Sequence, residues 1–145
     1  MSKKRSAANS SSKPPSRNAL FIDRSLGRRI VADALRQAGA EVHVHDDHFP
    51  PDARDEEWLR VVGEHGWIVL TKDKMIRYRG PELAALINAG VRAFVLTGRN
   101  LQGREMGEIF VRALPAINRF IAGHRAPFIA KVTPGGAVSL VFSGV

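Results

Sequence analysis

Short apolar runs alternate along this chain with stretches in which apolar residues return every three or four positions. Ala19-Leu20-Phe21-Ile22 is the first run and ends on Asp23. Behind it Leu26, Ile30, Ala34, Leu35 and Ala38 repeat at helical spacing, which predicts a helix over 26–38 that Gly39 is placed to end. Glu41 to His45, with Val42 and Val44 alternating with polar neighbours, predicts a second strand, and a polar loop follows over 46–54. Asp55-Glu56-Glu57-Trp58 reads as a helix start with acids in its first turn, and Gly66 as its stop. Trp67 to Thr71 is a third strand, Pro81 to Ala89 a helix with Gly90 just past its end, and Val91 to Thr97 a fourth strand.

From about Gly103 to Gly123 a longer helix presents Met106, Ile109, Phe110, Leu114, Ile117 and Ile121 on one side, with Pro115 expected to kink it. Phe128 to Val132 and Val138 to Phe142, joined around Pro134-Gly135-Gly136, predict a closing hairpin. Strands alternating with helices of these lengths predict an α/β fold: a doubly wound, mainly parallel sheet with helices on both faces, plus the C-terminal hairpin. Residues 1–17 stand apart. They are rich in Ser, Lys, Arg and Pro, hold no large apolar side chain except Met1, and are expected to form a disordered basic tail ahead of one domain over 18–145.

Composition narrows the chemistry. There is no cysteine, which removes disulfides, a thiolate nucleophile and a Cys-based zinc site, and favours a reducing, cytoplasmic setting. Any metal must then sit on carboxylates or histidines. No apolar run follows Lys3-Lys4-Arg5 as a signal peptide requires, and none elsewhere is long enough to span a membrane, so neither secretion nor a membrane partner is expected. Lys3, Lys4, Arg5, Lys13 and Arg17 supply five of the formal net charge of +8, a balance that favours polyanions such as nucleic acid.

In an open parallel sheet, ligands collect outside the carboxyl ends of the strands. Asp23 directly follows the first strand and Asp73 lies two residues after the third, so parallel strands bring both to one edge, and Asp55 at the start of the intervening helix is placed to lean over it. Each has a plainer explanation, since Asp is a common turn and cap residue. Three converging carboxylates repel one another unless a cation lies between them, and that chemistry points to Mg²⁺ or Mn²⁺.

Phe21-Ile22-Asp23, Asp55-Glu56-Glu57-Trp58 and Val69-Leu70-Thr71-Lys72-Asp73 together resemble the PIN-like domain, most closely the short VapC-type toxins of toxin-antitoxin pairs. The resemblance runs from about Leu20 to Val132. It implies a PIN-like doubly wound sheet, a divalent-metal site of acids on Asp23, Asp55 and Asp73, hydrolysis of RNA phosphodiester bonds and a cognate antitoxin as inhibitor. It also implies a homodimer, for which the helix from Gly103 or the terminal hairpin is the candidate surface. Family members often carry a further acid after the fourth strand, where this chain has Thr97-Gly98-Arg99-Asn100, so Asn100 is the remaining candidate for holding a water or a metal there.

Arg24, Lys72, Lys74, Arg77, Arg79, Arg99 and Arg104 fall in loops at the same predicted edge and are candidates to bracket an RNA backbone, with Tyr78 as a stacking residue. The plainer reading is a solvated basic rim. His43 and His45 alternate as strand side chains should, which disfavours zinc, and leaves Asp46, Asp47 and His48 as candidates for a supporting or substrate role. Trp58 and Trp67 read as core, and the glycines match neither a P-loop nor a dinucleotide fingerprint. Two rivals stand beside the ribonuclease. A receiver domain wants an acidic pair after strand one, where Asp23 stands between Ile22 and Arg24, and a noncatalytic RNA- or protein-binding module would use the same acids only as caps.

Overall fold

A computed structural model describes residues 18–73 and 80–144. The expected tail over 1–17, together with Lys74, Arg77, Tyr78 and Arg79, lies outside the described residues. The elements run β1 (Leu20–Ile22), a 3₁₀ turn (Arg24–Leu26), α1 (Ile30–Gln37), β2 (Val42–Val44), α2 (His45–His48), α3 (Asp55–His65), β3 (Ile68–Thr71), α4 (Gly80–Ala89), β4 (Arg92–Leu96), α5 (Gly103–Gly123), β5 (Phe128–Val132) and β6 (Val138–Ser143).

The six strands form one sheet in the order β2-β1-β3-β4-β5-β6, parallel throughout except for β6, which closes antiparallel on β5. Because side chains alternate across a strand, each short apolar run feeds two cores. Leu20, Ile22, Ile68, Leu70, Phe94 and Leu96 face α1 and α5, where Val31, Leu35, Phe110 and Ile117 cover them. Phe21, Val69, Ala93 and Val95 face the other way and pack under Trp58, Leu59 and Val62 of α3 and Leu86 of α4. This double burial explains why the strands read as unbroken apolar runs, and it bears out the doubly wound architecture with helices on both faces. Among the described residues no helix is long and apolar enough to cross a membrane.

Two elements differ from expectation at the edge that matters. The helix expected over 26–38 forms only from Ile30 to Gln37, because Asp23 caps a separate 3₁₀ turn and Gly27, at φ +78°, interrupts the path. The second strand ends at Val44. His45 leaves it to open α2, with its ring in an aromatic group of Phe21, Phe49 and Trp58. Helix α5 runs unbroken through Pro115. Helices α3 and α4 meet at Gly63, where an added Cβ would lie 2.8 Å from the Ala89 Cβ and overlap that residue's carbonyl oxygen.

Candidate active site

From β1 the chain moves to β2 on one side, while β3 lies on the other, so the strand order reverses at β1 and a crevice opens at the carboxyl ends of β1 and β3. Asp23 leaves β1 there, its amide donating to the Leu70 carbonyl at 3.0 Å. Asp73 follows β3, and Asp55 is the first residue of α3. All three line one cleft of about 480 Å³, together with Arg24, Ser25, His45, Trp58 and Lys72.

Two hydroxyls hold Asp23. Thr71 Oγ1 and Ser25 Oγ each donate to Asp23 Oδ2 at 2.7 Å, and the Ser25 amide adds a longer bond of 3.3 Å. The hydroxyls are themselves fixed by the following loop, since the Asp73 amide donates to Thr71 Oγ1 and the Lys72 amide to Ser25 Oγ, both at 3.0 Å. Thr71 is 1% exposed, so this clamp forms at the edge of the core, where a satisfied polar network is rigid. Asp23 Oδ1 takes no part in it. Asp55 Oδ1 accepts the indole N–H of Trp58 at 2.9 Å, which orients that carboxylate from the helix side.

Beside the cleft, Asp46 draws in two arginines: Arg24 Nε lies 3.4 Å from Oδ1 and Arg28 Nη1 lies 3.6 Å from Oδ2. Arg24 also donates to the Pro51 carbonyl at 2.9 Å, which fixes it between two loops. His45, 2% exposed, has its Nδ1 at 3.6 Å from Asp46 Oδ1, too far for a hydrogen bond, and neither atom has another hydrogen-bond partner.

The donor set is hard oxygen from aspartates. Among the described residues no group of three or more acids and histidines is drawn into a cage around one point. An open cleft still suits Mg²⁺ or Mn²⁺ better than a softer metal, because Mg²⁺ keeps several waters and binds through one or two carboxylates plus substrate phosphate. The histidines serve elsewhere. His43 and His65 stack on Trp67 with ring centroids 4.0 and 4.3 Å away, and His48 leans on the same indole at 5.2 Å. Burial there lowers the pKa of His48 below its ordinary 6.5, helped by the nearby His43 and opposed by Asp47, with His65 adding a smaller lowering.

Of the expected substrate residues, Lys72 and Arg24 lie on the cleft. Arg99 and Asn100 occupy the exposed loop after β4, Asn100 with φ +56°, and are not on the cleft's wall. Arg104 is exposed on α5 and pairs with Glu108 at 3.8 Å. Trp58 is buried as expected. Ser25 was not singled out from the sequence, Thr71 entered only as part of the Thr71-Lys72-Asp73 motif, and His45 only as a strand side chain in the disfavoured zinc reading. For the first two a signal was present: a hydroxyl two residues after Asp23 and another two residues before Asp73.

The PIN like domain family matches residues 19–98 of this chain. A Mycobacterium tuberculosis protein assigned by name as a ribonuclease, VapC45, is 30% identical over 137 residues, a match that covers 88% of this chain and 99% of that relative. No solved structure matches the chain.

Proposed function

The chain belongs to the PIN-like domain family, and on that premise we propose that it is a metal-dependent endoribonuclease, a hydrolase of RNA phosphodiester bonds acting as the toxin of a toxin-antitoxin pair. One observation carries the reading: Asp23, Asp55 and Asp73, from three separate elements, line a single cleft at the point where the strand order reverses. The name of the tuberculosis relative supports the choice of RNA.

Asp23, Asp55 and Asp73 would hold the ion, Mg²⁺ or Mn²⁺. When bound it would make a water a better nucleophile and supply positive charge for the phosphate oxygens. The chain's own residues do the rest. Ser25 and Thr71 keep Asp23 in one orientation, so the carboxylate does not turn away when substrate arrives. Lys72 offers an exposed ammonium on the same wall, and Arg24 adds a guanidinium whose position is set by Asp46 and Pro51. Lys74 and Arg77 extend this basic set along the chain, and Arg99 and Asn100 take RNA from the loop after β4. A cognate antitoxin is the natural inhibitor in this reading, the protein works in the cytoplasm, and pairing of two copies is part of it.

A noncatalytic binding module on the same fold remains the rival, and one observation favours it: the Asp23 carboxylate also caps the 3₁₀ turn through the Ser25 amide. Incubating the purified chain with total cellular RNA in Mg²⁺ or Mn²⁺, against EDTA, separates the two. Discrete fragments that vanish with EDTA support the nuclease. Intact RNA under either metal moves the assignment to the binding module.

A further inference from the structure

A second groove, of about 660 Å³, opens beside the aspartate cleft and shares Ser25 with it, so the two adjoin at that residue. Its size is in the range of pockets that take a small ligand. Leu26, Ile30 and Met106 supply its apolar lining, and Ile30 stands out because it is 56% exposed while the other two are buried. The groove is shaped by close helix packing: a Cβ at Gly103 would lie 3.3 Å from Ile30 Cδ1 and one at Gly107 3.0 Å from the Ala34 Cβ. Glycines therefore let α5 come in close to the start of α1.

Polar chemistry completes the lining. Arg28 and Arg29 bring positive charge, with Arg28 held toward Asp46. Asp47 brings an exposed carboxylate that makes no hydrogen bond or ion pair with any described residue and acts on His48 through its charge. An apolar surface for a base, guanidinium groups for a phosphate and an uncommitted acceptor for a base edge are together what a single nucleotide of unpaired RNA requires.

The acceptor decides which base. A carboxylate only accepts, and among the RNA bases guanine alone offers two adjacent donors, N1–H and the N2 amino group, on its Watson–Crick edge. Uracil has one donor there, while adenine and cytosine set an acceptor beside their amino group. We propose that this groove seats the nucleotide next to the scissile bond and that Asp47 selects guanine at that position. The inference rests on the ribonuclease reading and adds to it a subsite and a base.

The test uses the full chain carrying Asp73→Asn, so that RNA is bound without being cut, and labelled uridine oligomers with one central guanosine, inosine or uridine. The guanosine oligomer should bind about tenfold tighter than the all-uridine one, as a bidentate base contact allows. Inosine, which lacks the N2 amino group, should fall between. Asp47→Ala, at an exposed position, should erase these differences, and Arg28→Ala should weaken all three oligomers alike. Equal binding of the three, or a guanosine preference that survives Asp47→Ala, overturns the proposal. If the unmutated enzyme still cuts RNA while showing no base preference, only this subsite falls; if no RNA is bound or cut at all, the ribonuclease reading falls with it.

Discussion

The hydroxyl of Thr71, the last residue of β3, donates a 2.7 Å hydrogen bond to Oδ2 of Asp23, the first residue after β1. That bond ties together the two strands on either side of the crevice, and through Thr71 it connects Asp23 to the backbone of Asp73. Two of the three candidate metal acids therefore share one fixed frame.

Replacing that hydroxyl by a methyl group measures the frame. Thr71→Val keeps the volume but leaves the Asp73 amide without its Thr71 acceptor and removes one of the two hydroxyls on Asp23. Stability should fall by about 1.5–3 kcal/mol, the net worth of a hydrogen bond to a charged group. Denaturant unfolding gives the stability, and RNA cleavage by the folded fraction should fall as well. A variant with wild-type stability and wild-type cleavage would show that the clamp is incidental.

Gly63 tests the layer that carries Asp55. An alanine there drives its Cβ into Ala89 of the neighbouring helix, and backbone cannot move aside as a flexible side-chain tip would. Gly63→Ala should cost about 1–3 kcal/mol, as overpacking does. The midpoint of a urea melt reads it directly, and an unchanged midpoint would mean that α3 and α4 do not approach as closely as described.

The lowered pKa of His48 has a definite sign in stability. The folded state holds its proton less tightly than the unfolded chain, so between the folded pKa and the ordinary value of 6.5 the unfolded state binds more protons. The protein should therefore lose stability as pH falls below 6.5 and recover it as pH rises through that window. His48→Gln, measured by thermal unfolding across the same pH range, should flatten that part of the curve. A slope unchanged by the substitution would assign the effect to other groups.

Much of this architecture was legible because the central strands β1, β3 and β4 are buried on both faces and the longer helices end at or beside a glycine, such as Gly66 after α3 at φ +70°. The places of Asp23 and Asp73 follow from the ends of those strands, and that of Asp55 from its helix start. The sequence pattern misread the segments after β1 and β2. Leu26 repeats in phase with α1, yet the Asp23 cap and Gly27 detach it, a competition between local hydrogen bonding and periodicity that the pattern does not encode. His45 continues the alternation of β2 but turns out of the sheet because its ring packs with Phe21, Phe49 and Trp58, partners as far as 24 residues away in the chain. The hydroxyl clamp depends on contacts between residues 46 and 48 positions apart, which no local spacing reveals.

The aspartate cleft is proposed to cut RNA with the help of a divalent ion. The most direct test compares the native chain with Asp73→Asn and Asp23→Asn on one labelled RNA in Mn²⁺, with circular dichroism to establish that each variant is folded. Metal-dependent fragments are expected from the native chain, with a loss of at least about 100-fold in both folded variants, on the scale expected when a preorganised charge at a reaction centre is removed. Cleavage at the native rate by both variants would contradict this reading.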